Sequence, residues 1–101
     1  STEGKQDILE FFKYTGKNFK ELMAAFVLND LQLVASVYQR KNETTELYNN
    51  LFDRHMNRLY KRKPESLQTT AIHIDLLEEI HRMNHFTFRI ADYILKLREQ
   101  Q

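Results

Sequence analysis

The chain has 101 residues, a formal net charge of +1, no Cys, two Gly and one Pro. A charge this small gives no strong field for nucleic acid or anionic lipid, and the absence of Cys excludes disulfides, thiol catalysis and thiolate metal sites. Because turns depend on Gly and Pro, their scarcity predicts few connections between long helices. No apolar run approaches the about 20 residues that a membrane-spanning helix needs.

The first helix is predicted over residues 5–28. Apolar side chains recur there at spacings of three and four, which is the pattern of one helical face. They are Ile8, Leu9, Phe11, Phe12, Phe19, Leu22, Met23, Phe26 and Val27. Gly16 lies inside this pattern, where it indicates either a bend or the close approach of a neighbour.

The second helix is predicted over residues 31–62, after a break at Asn29-Asp30 that provides a capping side chain. A polar stretch at 39–46 indicates either a break or a polar helical section, and continuation is favoured because no Gly or Pro intervenes. The basic run 61–63 before Pro64 is typical of a helix end. A solvated helix end is the favoured interpretation of that run, with an anionic partner or a membrane surface as the alternative.

The third helix is predicted over residues 66–99, with two apolar stripes wide enough to contact two other helices. The stripes are Ile74, Leu77, Phe88, Ala91 and Leu95, and Leu76, Ile80, Met83, Ile90, Ile94 and Leu97. Two short connections predict an up-down-up order of antiparallel neighbours. The sequence therefore predicts one all-α domain over residues 1–101, an antiparallel three-helix bundle.

The third helix also carries the one unusual polar constellation, Glu78, His81 and His85, which share a helical face. One hypothesis is a single transition-metal ion, since two His at i and i+4 with a carboxylate can hold one. A di-metal site would need this motif on a second helix, which only a homodimer would provide. The favoured interpretation is that His81 and Asn84, which interrupt an apolar line, hydrogen-bond across helices or face solvent.

Other polar residues carry no catalytic signal. His55 and His73 are expected to be exposed or locally bonded. No Gly-rich phosphate loop, Ser-His-Asp set or carboxylate pair is recognisable, so the sequence predicts no enzyme and no cofactor.

Two stretches resemble the PhoU family across nearly the whole chain. Residues 28–31 form a short Asn-Asp corner, and a polar, acidic section follows within residues 37–48. Residues 75–91 are similar to the family's Asp-Leu-Glu-Arg-Ile-Gly-Asp-His-Ala-x-Asn-Ile-Ala. Arg82-Met83-Asn84 resembles the Arg-Ile-Asn version of members linked to sodium/phosphate cotransporters. The resemblance implies a single PhoU-like bundle, of which a full PhoU protein has two.

Metal-binding PhoU members use acidic pairs on the second and third helices. By this resemblance the pairs would fall near Lys41 and Thr45 and on His81 and His85, where the carboxylates are missing. The resemblance therefore argues against a family-style metal cluster, and it implies a packing or docking role for Arg82 and Asn84.

The resemblance also implies a function. The expected role is a non-catalytic regulatory domain of a sodium-dependent phosphate cotransporter-like protein, on the cytoplasmic side of the membrane. Its expected partner is the membrane portion of the same polypeptide or another PhoU-like bundle, with a homodimer as a further possibility and no nucleic acid. The alternative is a metal-binding helical bundle centred on Glu78, His81 and His85.

Overall fold

The computed structural model describes residues 2–61 and 64–100. This part of the chain contains the helices α1 (Thr2–Leu28), α2 (Leu31–Tyr38), α3 (Lys41–Lys61) and α4 (Pro64–Glu99) and no strand. Helices α2 and α3 follow one another as a single descending rod, so the bundle has three rods and the predicted fold class is confirmed. The bundle is elongated, with extents of 58 × 18 × 16 Å.

The rods run up, down and up, so that α1 and α4 are parallel. Near one end Gly4 of α1 lies against the ring of His73 of α4, and halfway along Thr15 of α1 is bonded by Asn84 of α4. The two residues of each pair are 69 positions apart in the sequence, as expected for parallel helices. Further along, Phe26 and Leu97 line one recess. The descending α2–α3 rod packs against both parallel helices.

The corner between α1 and α2 is the tight turn that Asn29-Asp30 predicts. Asn29 has a φ of 57°, a left-handed conformation that Asn tolerates better than most residues. The Asp30 amide bonds the Ala25 carbonyl at 2.8 Å, which closes the end of α1. The Asp30 carboxylate then accepts from the Leu33 amide at 3.1 Å, capping α2.

The predicted continuous helix over residues 31–62 is wrong, because the rod is interrupted at Gln39-Arg40. The Arg40 amide bonds the Val37 carbonyl three residues back at 3.0 Å, and this tightens the helix by part of a turn. The Thr44 hydroxyl also donates to the Arg40 carbonyl at 2.8 Å, a local bond that bends helices. The break therefore comes from polar side chains, without Gly or Pro.

The other boundaries differ little from the prediction. Helix α3 ends at Lys61, and Arg62 and Lys63 of the predicted basic run lie outside the described residues. Helix α4 begins at Pro64, two residues before the predicted start, as Pro at a first helical position favours.

The core consists of two apolar clusters with a polar layer between them. One cluster comprises Leu22, Ala25, Val34, Val37, Phe88 and Ala91. The other comprises Phe11, Leu51, Leu77 and Ile80. Between the two clusters, each rod contributes buried polar residues to the core. These residues form the polar layer and are Thr15, Asn18, Thr44, Asn84 and Thr87.

Several residues on the predicted core stripes are exposed, so that part of the prediction is wrong. They are Leu9, Phe12, Phe19, Met23, Phe26 and Val27 on α1, Tyr60 on α3, and Leu76, Met83, Ile90 and Leu97 on α4. Helices α1 and α4 each carry apolar residues on a broader arc than their two neighbours cover. Among the described helices, none combines the length and apolar character needed to cross a bilayer.

Candidate functional site

The centre of the polar layer is the contact between Asn84 on α4 and Thr15 on α1. The Asn84 amide donates to the Thr15 hydroxyl at 2.8 Å and also to the Ile80 carbonyl at 3.3 Å. Asn84 and Thr15 are each only 1% exposed. The side-chain oxygen of Asn84, Oδ1, has no hydrogen-bond partner among the described residues. Asn84 therefore ties the two parallel helices together at one register.

Arg40 brings the third rod into the same layer. Its guanidinium donates to the Asn18 carbonyl oxygen at 3.0 Å and lies 2.6 Å from the Glu21 carboxylate. Both members of the ion pair are largely shielded, with side chains 26% and 28% exposed. A shielded charge pair whose guanidinium also donates a hydrogen bond fixes orientation more strongly than a solvated pair does.

Helix α3 adds a second link to α1. The Thr44 hydroxyl lies 3.1 Å from the Tyr14 hydroxyl, which donates to the Glu43 carboxylate at 3.4 Å. The roles of Arg40, Asn18 and Thr44 were missed at the sequence level. A signal did exist, because Thr15 and Asn18 interrupt the buried line that Phe11, Leu22 and Ala25 define.

The predicted constellation of Glu78, His81 and His85 is not brought together as a metal site. His81 is partly buried and stacks on Tyr48, with ring centroids 3.9 Å apart and planes 12° apart, whereas Glu78 and His85 are exposed. The described residues contain no group of three His, Cys, Asp or Glu side chains placed to hold one ion. His81 instead serves packing between α3 and α4.

Burial in this stack also shifts the pKa values of His81 and Tyr48. Burial lowers the pKa of the His81 imidazole, and the neighbouring His85 lowers it further. Burial raises the pKa of the Tyr48 phenol, with Glu78 adding to the effect. Both shifts favour the neutral forms, and the His81 Nδ1 atom is buried with no partner in the described chain.

Two of the four positions at which the resemblance implies acidic residues, Lys41 and His85, lie in one small recess. Lys41 and His85 line it together with Tyr38, Phe88, Arg89 and Asp92. Its one carboxylate, Asp92, lies 2.9 Å from the Lys96 ammonium. Thr45 is exposed on α3 and bonds the Lys41 carbonyl. Lys41 and Arg89 would repel a cation, so the residues present do not fit a family-style metal cluster.

A charged cluster lies at the end of the bundle where α1 begins and α3 ends. Asp7 is nearly buried and lies 3.2 Å from Arg54 and 3.5 Å from Arg58. Arg58 also pairs with Glu3 at 3.1 Å and donates to His55 Nε2 at 3.4 Å. These pairs join α1 to α3.

The two remaining His residues meet near this charged cluster. His55 is fully buried and donates from Nδ1 to the Leu51 carbonyl at 2.8 Å, which confirms a locally bonded His. His73 contacts its edge, with ring centroids 5.8 Å apart. Burial lowers the pKa of His73, and His55 and Arg58 lower it further. The contacts at this end therefore hold α1, α3 and α4 together.

Arg82 and Asn84, which the resemblance pairs as a packing or docking motif, take different positions. Asn84 lies in the polar layer, whereas Arg82 is exposed and lies 3.4 Å from Glu79 one turn away. Only Asn84 contributes to packing within the bundle.

Comparison with known proteins gives one result. The chain has no match among curated proteins and none among solved structures. The PhoU domain family model, however, matches residues 8–97, which contain both apolar clusters and the whole polar layer. The chain therefore belongs to the PhoU domain family.

Proposed function

We propose that this chain is a non-catalytic regulatory domain of a sodium-dependent phosphate cotransporter-like membrane protein. PhoU domains relate to the regulation of phosphate transport, and the family match over residues 8–97 is the observation that carries the proposal. The segment Arg82-Met83-Asn84, which resembles the cotransporter-linked version of the motif, supports the finer assignment.

On this proposal the domain acts by docking. Polar side chains inside it connect the rods to one another, as the buried Asn84 and the partly buried Arg40 do. Its outer surface carries a broad apolar stripe on α1 and α4 that the bundle leaves uncovered. The proposed partner is the membrane portion of the same polypeptide or another PhoU-like bundle, at the cytoplasmic side of the membrane.

The proposal is tested on the full gene product. Its coding sequence is expected to contain membrane-spanning segments of about 20 apolar residues. Deleting the domain is expected to leave sodium-driven phosphate uptake into proteoliposomes intact while changing its dependence on phosphate. A coding sequence without such segments, or uptake curves that superimpose with and without the domain, would overturn the assignment.

On the same proposal the domain needs no metal ion for its stability. We expect the purified domain to melt at the same temperature with and without a chelator, since Lys41 and Arg89 place two cations in the recess that His85 lines. A melting temperature that falls with chelator and recovers with a transition metal would instead favour the metal-binding alternative.

A further inference from the structure

Two histidines, His55 and His73, lie in the charged cluster that joins the beginning of α1 to α3. His55 is fully buried, and both of its ring nitrogens are engaged. Nδ1 donates to the Leu51 carbonyl at 2.8 Å, and Nε2 accepts from Arg58 at 3.4 Å. Only a neutral imidazole can donate from one nitrogen and accept at the other. A proton on Nε2 would therefore remove the acceptor that Arg58 uses.

His73 on α4 lies close to the same guanidinium. Its ring stands edge-on to His55, with centroids 5.8 Å apart and planes 82° apart. A Cβ on Gly4 would lie 3.0 Å from His73 Nδ1 and 3.2 Å from Arg58 Nη1, so the imidazole and the guanidinium lie over the same point of α1. A protonated His73 would place a second cation beside Arg58, and two like charges this close in a partly shielded site repel each other.

The charges of the cluster balance while both imidazoles are neutral. In the described part of the chain, its ion pairs join two arginines to two carboxylates. Asp7 lies 3.2 Å from Arg54 and 3.5 Å from Arg58. Glu3 lies 3.1 Å from Arg58, with its own side chain 72% exposed. Because Asp7 is already shared by two cations and Glu3 is mostly solvated, a proton added to either histidine adds a positive charge that these carboxylates do not balance.

We propose that this cluster is a pH-sensitive contact, which holds the beginning of α1 on α3 and α4 while His55 and His73 are neutral and releases it when they are protonated. The released segment is residues 2–7, which make the contacts of α1 with the cluster. From Phe11 onward α1 stays docked, because its buried side chains there pack into the apolar clusters and the polar layer. The released turns unwind, since a short undocked helical segment has little stability of its own.

The direction of the pH dependence follows from His73. Burial lowers its pKa, and His55 and Arg58 lower it further, so the released form binds the proton more readily than the docked form does. The stabilisation that neutral His73 provides is present above about pH 6.5 and is lost as the pH falls through its pKa in the docked form. Acid therefore favours release.

Hydrogen exchange of the 101-residue chain measures the release. The amides of residues 6–11 donate to the carbonyls of residues 2–7 in α1, so they lose protection when that segment unwinds. Their protection factors, each taken relative to the unstructured chain at the same pH, are expected to fall about tenfold or more from about pH 7.5 to about pH 5. The protection factors of residues 18–25 in the same helix are expected to fall less.

Variants assign the effect to the cluster. His73→Phe keeps a ring against His55 and is expected to remove most of the acid-induced loss of protection in residues 6–11. The matched control is His81→Phe, in which the histidine replaced lies outside the cluster, and it is expected to keep that loss. Arg54→Gln removes one of the two arginine charges and is expected to move the loss to lower pH, because a carboxylate is then available to a protonated histidine.

Four outcomes would overturn the inference. The first is a segment 6–11 that is already unprotected at about pH 7.5, and the second is a loss of protection that is equal along the whole of α1. The third is an acid-induced loss that His73→Phe leaves undiminished, and the fourth is a loss that Arg54→Gln does not move to lower pH. The measurement needs neither phosphate nor a membrane, so its result is independent of the transporter assignment.

Discussion

Asn84 reaches from α4 to α1 in the middle of the core, where an apolar residue would fit the helical pattern equally well. Its amide bonds Thr15 at 2.8 Å, and both residues are buried. A buried hydrogen bond of this kind adds little net stability, but leaving one partner unpaired is costly. The contact therefore serves mainly to fix the register of the two parallel helices.

Asn84→Ala is expected to lower the free energy of unfolding by about 1–3 kcal/mol, because the Thr15 hydroxyl loses its donor in a buried site. Urea denaturation of Asn84→Ala, Thr15→Val and the double variant measures the effect. The double variant is expected to lose less than the sum of the single losses. Strictly additive losses would show that the two side chains act independently.

His81 predicts a pH dependence of stability. Its pKa in the folded domain is lowered by burial, relative to about 6.5 in the unfolded chain, so the unfolded state binds the proton more readily. The contribution of neutral His81 is present above about pH 6.5 and is lost as the pH falls through the folded pKa. Stability is therefore expected to fall between pH 7 and pH 5.

The matched variant for this prediction is His81→Phe, which keeps an aromatic ring against Tyr48 without a titrating group. Its stability is expected to fall less over the same pH range, and the remaining dependence comes from His73, whose pKa is also lowered by burial. Unfolding curves collected at several pH values measure the difference. Parallel curves for the two proteins would show that His81 is not the group responsible.

At the scale of the elements, the kink between α2 and α3 is held by side chains. Arg40 lies at the kink and reaches Asn18 and Glu21 on α1. Thr44 bonds the Arg40 carbonyl and keeps the first turn of α3 in place. In a straight helix over the same residues, the Arg40 side chain would point in a different direction from the one that reaches Asn18 and Glu21. The kink and the polar layer therefore depend on each other.

Arg40→Met is expected to cost about 1.5–3 kcal/mol of stability, since Asn18 loses a charged donor and Glu21 loses its ion-pair partner in a shielded site. The control is Arg82→Met, which removes an exposed pair with Glu79 and is expected to cost about 0.2–1 kcal/mol. Chemical denaturation compares the two. Equal losses would mean that the Arg40 pair is no stronger than a surface contact.

At the scale of the whole molecule, apolar residues divide into a buried set, to which all three rods contribute, and an exposed set on α1 and α4. Leu51 on α3 and Ile80 on α4 belong to the core and are nearly inaccessible, whereas Phe86 on α4 is half exposed. Leu51→Asp or Ile80→Asp is expected to unfold the domain, because each places an unpaired charge in an apolar cluster. Phe86→Asp is expected to keep the helical spectrum and a cooperative melt.

Circular dichroism and thermal melting distinguish these three variants directly. A Phe86→Asp protein that is unfolded would show that the exposed set supports the isolated domain. A Leu51→Asp protein that melts like the wild type would contradict the assignment of Leu51 to the apolar cluster that Phe11, Leu77 and Ile80 complete.

The sequence by itself determined the three rods and their order, but not the break between α2 and α3. Apolar spacing of three and four, the Asp30 cap and Pro64 are local signals, since each acts within a few residues of the chain. The same signals placed Leu51, Leu77 and Ile80 on core stripes, and all three are buried. The interruption of the apolar line at Asn84 was also visible, although its partner was not.

The tertiary structure alone decided which apolar stripe is covered and what each polar residue contacts. Phe19 and Leu22 have the same local pattern, but only Leu22 faces a neighbouring rod, because three rods cannot cover the full apolar arc of α1 and α4. The kink at Arg40 depends on Asn18 and Glu21, which are about 20 residues away in the chain. Likewise, Tyr48 and not a metal became the partner of His81, since only the packing of α3 on α4 brings the two rings together.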